Sequence, residues 1–198
     1  HVSGMQKAHS NPLYLGDFKF PAHLEITDDF DAALTNIDLI VCAVPTSGFR
    51  QTLKLINETN QQTPVIWANK GLEQGSAKLP HEIALEELGD PKKTNRHWGV
   101  VSGPSFAAEL VRSLPTALTM ASTSKETTIL AANIFHHESL RVYTSQDVVG
   151  VSVGGALKNV IAIASGISDG MGFGNNARAA LITRGLAEIS RFGSHLGA

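Results

Sequence analysis

The sequence contains one cysteine and carries almost no net charge. Cys42 has no partner for an internal disulfide bond, which indicates a reducing compartment, and we expect a cytoplasmic protein. A formal charge of −2 over 198 residues provides no long-range attraction for nucleic acid or an anionic membrane. Any anionic ligand must therefore be held by local groups. We predict no nucleic-acid partner and no metal site.

The chain also lacks internal repeats, low-complexity tracts and blocks of like charge. With 42% hydrophobic and 17% charged residues, it has the composition of an ordinary globular protein, large enough for one large domain or two small ones. It starts at His1 without an initiator methionine and stops at Ala198, directly after a predicted helix. We therefore expect a piece of a longer protein.

Strands and helices alternate over the first three quarters of the chain, after an irregular connection at residues 1–21. Apolar runs predict strands at Leu24–Ile26, Asp38–Val44, Pro64–Ala68, Trp98–Val101, Thr116–Ala121 and Arg141–Thr144. Capping residues and apolar periodicity predict helices from Asp29 to Ile37, from Thr46 or Ser47 to Glu58, and at Leu79–Leu88, Ala107–Arg112 and Lys125–Phe135. This order predicts an α/β fold, a doubly wound parallel sheet of Rossmann-like type over residues 1–145. An all-helical domain is predicted to start at residue 146.

The run from Val148 to Asp169 is almost entirely apolar, with Lys158 near its middle. Small or apolar residues surround this lysine in the sequence and predict a helix that is buried nearly all round. A buried ammonium is costly unless it is paired or deprotonated, and burial can lower a lysine pKa toward neutrality. Lys158 is therefore a candidate acid or base. The alternative is a lysine whose stem lies on apolar surface while its amine reaches water.

Two features of this helix bear on its role. Gly154 and Gly155 each cost about 1 kcal/mol of helix stability relative to alanine, which is explained if a ligand or another backbone approaches closely there. A membrane span must also be weighed, because the run is about twenty residues long. Lys158 would then lie at the bilayer centre at a cost of about 3 kcal/mol, and no aromatic belt or basic cluster flanks the run. We predict no stable membrane insertion.

Two loops follow predicted strands and carry further candidate groups. Lys70 lies after the strand that ends at Ala68, and ligands of open α/β sheets bind beyond the carboxyl ends of strands. The alternative is a solvated loop lysine. Ser105 lies after the strand at Trp98–Val101, where a helix start would offer its hydroxyl and backbone N–H groups to an anion. A capped turn without a ligand is the alternative.

Four motifs occur in order along the chain. They are VPTSGF (44–49), WANKGLE (67–73), SGPSFAAEL (102–110) and the block at 154–188 that begins GGALKN. Together they resemble bacterial NAD(P)-dependent glycerol-3-phosphate dehydrogenases. The resemblance implies reversible hydride transfer between dihydroxyacetone phosphate with NAD(P)H and sn-glycerol 3-phosphate with NAD(P)+, for phospholipid biosynthesis. It also implies that the helical domain contacts substrate and that the protein is a homodimer.

The resemblance also implies roles for individual residues. Lys158 is expected to be the catalytic proton donor and acceptor and to contact substrate. Lys70 is expected to contact both substrate and cofactor. Gly103 and Ser105 are expected to contact substrate, and Ala107 and Phe49, the latter on a weaker pattern, to contact NAD or NADP.

The departures from the family pattern lie at the two ends. The G-x-G-x-x-G loop precedes His1 and the later Asp and Arg-Asn motifs follow Ala198, so we expect the isolated chain to be inactive. The glycines from Gly170 to Gly174 follow a helix and are not that loop. Two other interpretations stay open. One is a dehydrogenase of the 3-hydroxyisobutyrate or ketopantoate type, although Ala162 stands where the former has asparagine. The other is a non-catalytic, dehydrogenase-like binding module.

Overall fold

A five-stranded sheet organises the chain in a computed structural model that describes residues 1–59 and 61–198. The strands are β1 (Ile40–Cys42), β2 (Val65–Trp67), β3 (Trp98–Ser102), β4 (Thr116–Ser122) and β5 (Leu140–Ser145), and they lie side by side in chain order. The pairs β1–β2, β2–β3 and β4–β5 are parallel, whereas β3–β4 is antiparallel. The α/β class is confirmed, and the sheet is mixed.

Ten helices are found among the described residues. They are α1 (Val2–Ala8), α2 (Pro12–Leu15), α3 (Phe30–Ala33), α4 (Thr46–Glu58), α5 (Pro80–Leu88), α6 (Pro91–Thr94), α7 (Ala107–Leu110), α8 (Lys125–Phe135), α9 (Val148–Gly170) and α10 (Gly174–His195). The bounds of α4, α5 and α8 agree with the predictions to within one residue. These three helices have clear apolar spacing and end signals, which are local properties of the sequence.

The expectation that every strand is parallel is wrong at β3 and β4, where Val101 pairs with Met120 in an antiparallel register. The physical reason lies in the connection between them. A parallel return needs a crossover segment, usually a full helix packed on the sheet. Between Ser102 and Thr116 the chain forms only the four-residue helix α7. It therefore turns back beside β3 and does not cross over.

The first forty residues also differ from the predictions. Residues 1–21 contain α1 and α2 where an irregular connection was expected, and Leu24–Ile26 forms no strand. Leu24 is 43% exposed, so its apolar side chain is not packed in the core and does not hold this segment against the sheet. α3 starts as predicted, with Asp29 accepting a bond from the Ala32 amide at 3.0 Å. It ends at Ala33 and not at Ile37, because Asn36 adopts a left-handed backbone with φ 55°.

Apolar side chains cover both faces of the sheet. Trp67 packs on one face with Phe49 and Leu53 of α4, while Ile66 packs on the other face with Met120. Successive residues of a strand point to opposite faces, so β2 is buried on both. Each such buried side chain contributes about 1.5–3 kcal/mol to folding. The start of α9 joins the Trp67 face through Val148.

The prediction that α9 is buried nearly all round is wrong for this structure. Its first two turns pack on the sheet, whereas its remainder packs mainly against α10, with Ile161 lying against Gly185. Val160, Ile163 and Ile167 are consequently 59%, 65% and 57% exposed. An apolar run predicts that a helix avoids water but does not identify what covers each face.

Helix α9 is also long and apolar enough to cross a membrane, by length and composition alone. Its most apolar window has a mean hydropathy of 1.6 and is 22% buried within the described structure. A single helix of this kind is weak evidence, since core helices of globular proteins have the same properties. Membrane insertion is not indicated.

Candidate active site at the carboxyl ends of β2 and β3

Lys70 and Ser105 meet beyond the carboxyl ends of β2 and β3. Lys70 Nζ donates a hydrogen bond of 3.1 Å to Ser105 Oγ. Because β2 and β3 are parallel neighbours, the loops that follow them lie at the same edge of the sheet. The pKa of Lys70 is lowered by partial burial of its amine and by the nearby positive charge of Lys158. The two loop residues and the helix lysine therefore lie near one another and form one candidate site.

Gly155 lets α9 pack closely onto this edge of the sheet. A Cβ atom at position 155 would lie 2.7 Å from Ser102 Oγ and 3.7 Å from Lys70 Cγ. Gly154, by contrast, faces open space. The close approach expected one turn before Lys158 therefore occurs at Gly155 alone, and the neighbours are side chains.

Lys158 lies one turn beyond Gly155 and is half-buried. Its Nζ donates a 3.0 Å hydrogen bond to Asn159 Oδ1. The amine is thus less buried than the sequence suggested, because α9 leaves the sheet at this point. It remains on the side of α9 that faces Lys70, since Gly155 and Lys158 are three residues apart on one helix face.

The remaining loop candidates lie after β3. Gly103 has φ 154°, and a Cβ there would lie 2.6 Å from the Ala117 carbonyl oxygen, so β4 leaves room only for glycine. Ser105 is half-buried, and Ala107 is exposed at the start of α7. The substrate contacts of Gly103 and Ser105 and the cofactor contact of Ala107 stay predictions.

Phe49 occupies a different environment from the other candidates. Its side chain is 0% exposed, and its ring packs edge-on against Trp67 with 5.6 Å between the ring centroids. It forms part of the core that holds α4 on the sheet. The cofactor contact expected of Phe49 stays a prediction, and in this conformation the ring offers a cofactor no surface.

Sequence reasoning missed a polar group next to Lys70. Asn69 is 9% exposed, and both polar atoms of its amide lack a protein partner among the described residues, as does Ser152 Oγ on α9. Buried polar groups are normally hydrogen-bonded, so these atoms are suited to bind water or a ligand. A polar residue directly after a buried strand was the available sequence signal.

A second missed feature is the anchoring of the Lys70 loop to α4. Thr46 or Ser47 was expected to cap α4, but Pro45 is the N-cap and Thr46 Oγ1 donates to the Lys70 carbonyl oxygen at 2.9 Å. Arg50 donates from Nε and Nη2 to the two oxygens of Glu73 at 2.8 and 2.7 Å. This contact, with help from Ser76, lowers the pKa of Glu73 to about 2. The four-residue spacing of Thr46 and Arg50, which puts both on one helix face, was the only sequence signal.

Two sequence profiles match the chain. Residues 1–128 match the N-terminus of the NAD-dependent glycerol-3-phosphate dehydrogenase, and residues 147–198 match its C-terminus. The chain belongs to the NAD-dependent glycerol-3-phosphate dehydrogenase family. The resemblance seen in the motifs is confirmed, and nothing in these matches favours a 3-hydroxyisobutyrate or ketopantoate dehydrogenase.

Individual family members agree with this assignment. A glycerol-3-phosphate dehydrogenase (NAD(P)+) from Methylobacillus flagellatus is 59% identical over 197 residues, covering 100% of this chain and 59% of the relative. The Aromatoleum aromaticum enzyme of the same name is 48% identical over 197 residues, with the same shares of coverage. The crystal structure of glycerol-3-phosphate dehydrogenase from Coxiella burnetii superposes with a TM-score of 0.89 at 39% identity, covering 100% of this chain and 59% of the other. The chain therefore spans about 59% of the length of these glycerol-3-phosphate dehydrogenases.

Proposed function

We propose that the protein carrying this chain interconverts dihydroxyacetone phosphate and sn-glycerol 3-phosphate, using NAD or NADP, for glycerophospholipid biosynthesis. The main observation that supports this proposal is the hydrogen bond from Lys70 Nζ to Ser105 Oγ. In addition, the positive charge of Lys158 is near enough to lower the pKa of Lys70. Two cationic amines and a hydroxyl at one edge of an α/β sheet suit a substrate that carries both a phosphate and a carbonyl. Family membership supports this choice of substrate.

Each residue of the candidate site would have its own role in the reaction. The nicotinamide cofactor, held beside Lys70, would supply the hydride for the ketone carbon of the substrate. Lys158 would stabilise the negative charge that develops on the carbonyl oxygen and then donate a proton to it. Lys70 would hold substrate and cofactor in register, and Ser105 with the Gly103 backbone would orient the substrate. In the reverse direction Lys158 would accept the proton.

The cofactor would bind along the loop that leads from β3 into α7. The half-buried amine of Lys70 and the exposed, small side chain of Ala107 fit an anionic dinucleotide passing this edge of the sheet. The cofactor contact of Phe49 stays a prediction, and its buried ring also holds α4 in place. The cofactor of this family member is NAD or NADP.

The whole protein would be a cytoplasmic homodimer made of two domains, with the dinucleotide domain ending near residue 145 and the helical substrate domain starting at 146. The start of α9 at Val148 supports this division. The exposed apolar residues of α9 and α10 support burial against further chain or a second copy. We propose that residues 1–198 alone are inactive, because the relatives extend well beyond this segment.

Substrate oxidation and reduction test the proposal directly. A protein of the relatives' full length that contains this sequence should oxidise NADH or NADPH with dihydroxyacetone phosphate, and short 2-keto acids should serve poorly. Residues 1–198 alone should show no turnover. Faster turnover of a 2-keto acid than of dihydroxyacetone phosphate would overturn the substrate assignment, and binding without turnover would favour a non-catalytic module.

A further inference from the structure

Arg50 connects the Lys70 loop to two helices. It lies in the second turn of α4, and its forked contact reaches Glu73, three residues after Lys70. From the other side of the guanidinium, Nη1 donates to Glu86 at 2.8 Å and to Glu87, both on α5. One side chain therefore ties this loop to the helix before it and the helix after it.

Backbone hydrogen bonds around Glu73 fix the position of the residue that Arg50 contacts. The Glu73 amide donates to the Lys78 carbonyl oxygen, and its own carbonyl accepts from the Ala77 amide, both at 2.9 Å. Glu73 is thus the closing point of a compact turn, and its side chain is only 16% exposed. A carboxylate fixed at this point limits the movement of the residues just before it, including Gly71 with φ 109°.

Thr46 holds the other end of the same segment. Its hydroxyl bonds the Lys70 carbonyl oxygen at 2.9 Å, so the Lys70 backbone and Glu73 side chain are both attached to one face of α4. The Lys70 side chain then extends from a segment fixed at two points toward Ser105. Lysine cannot replace Arg50, because an ammonium lacks the planar fork that engages both carboxylate oxygens.

We propose that Arg50 is a positioning residue: through its forked contact with Glu73 it fixes the loop that presents Lys70 to the substrate. This inference rests on the proposed function, in which Lys70 contacts substrate and cofactor. In this proposal Arg50 acts through Glu73 and the loop, and not by contact with substrate or cofactor. A displaced Lys70 amine loses its alignment, and misplacement by about 1 Å can lower rates about 100-fold.

The test uses the full-length enzyme and the variants R50K and E73Q. Both should raise the KM for dihydroxyacetone phosphate about tenfold and lower kcat. The matched control is R191K, which changes an arginine that pairs with Glu188 on α10, away from the loop. R191K should leave KM and kcat within about twofold of wild type.

A double-mutant cycle separates positioning from a merely structural role. The dissociation constant of glycerol 3-phosphate is measured for wild type, R50K, K70A and R50K/K70A. If Arg50 acts through Lys70, R50K weakens binding in the wild-type background but adds nothing in the K70A background. Equal weakening in both backgrounds overturns the inference. If R50K does not fold, the same cycle is run with E73Q, which keeps the size of the side chain.

The two proposals fail in distinguishable ways. A wild-type enzyme that turns over dihydroxyacetone phosphate, with R50K and E73Q unchanged, overturns only the role of Arg50. A wild-type enzyme without this activity overturns the proposed function and this inference with it.

Discussion

Gly155 and Ser102 pack so closely that a methyl group added at position 155 would lie 2.7 Å from Ser102 Oγ. Ser102 is the last residue of β3, and Gly155 is one turn before Lys158 on α9. This contact sets the distance between the helix that carries Lys158 and the strand that leads to Ser105. Small changes at Gly155 should therefore move Lys158, the proposed proton donor, relative to the loops that carry Lys70 and Ser105.

The first prediction compares G155A with G154A. G155A places a methyl group against Ser102 Oγ and near Lys70, and these side chains must move to accommodate it, so we expect a loss of about 1–3 kcal/mol of stability from overpacking and about a tenfold loss of kcat. G154A meets open space and should stabilise the helix by about 0.5–1 kcal/mol, with activity kept. Urea unfolding and steady-state kinetics measure both effects. Equal behaviour of the two variants would contradict the role given to Gly155.

The second prediction concerns Lys158 itself. K158M removes the proposed proton donor while keeping the length of the side chain, so kcat in the full-length enzyme should fall at least about 100-fold. Because Lys158 is half-buried and, among the described residues, its amine bonds only its neighbour Asn159, the circular dichroism spectrum should not change. The control is K54M on the exposed face of α4, which should keep its activity. Turnover of K158M within about tenfold of wild type would refute the assignment.

The third prediction concerns the coupling between Lys70 and Lys158. Burial and the charge of Lys158 both lower the pKa of Lys70, so its amine should lose its proton at a lower pH than an ordinary lysine. K158M removes the second of these causes, and the Lys70 pKa should rise. Titration of methyl-labelled lysines by NMR, with K70R to assign the signal, measures this change. An unchanged Lys70 pKa in K158M would show that the two amines do not interact.

Much of the fold could be predicted because it depends on local signals. The spacing of Phe49, Leu53 and Ile56 defines the buried face of α4, and all three are buried. The choice of Lys70 as a candidate followed from a general rule, that ligands of open α/β sheets bind beyond the carboxyl ends of the strands. Neither inference required knowledge of distant contacts.

The features that could not be predicted depend on tertiary structure. The direction of β4 is set by the connection before it, and an apolar strand pattern is the same for either direction. The exposure of Ile163 depends on what packs against the far half of α9. Arg50 and Glu73 are separated by 23 residues, and two charged residues that far apart carry no pattern that marks them as partners.

The last prediction uses the ion pair between Arg50 and Glu73. The contact with Arg50, with help from Ser76, lowers the pKa of the Glu73 carboxyl to about 2 in the folded protein, from an ordinary value of 4.5. A carboxyl with a lowered folded pKa stabilises the fold above its unfolded pKa, and that stability is lost as the pH falls from about 4.5 to about 2. E73Q has no such proton to bind, so its stability should be lower than that of wild type at pH 7, while the difference should shrink at pH 3. Because the pair is partly exposed and screened by water, we expect a difference of about 1 kcal/mol at most at pH 7.

Urea unfolding at pH 7 and pH 3 measures this difference in stability between E73Q and wild type. The control is E188Q on α10, which removes an exposed ion pair. A difference between E73Q and wild type that stays the same at both pH values would show that the contact with Arg50 does not set the Glu73 pKa.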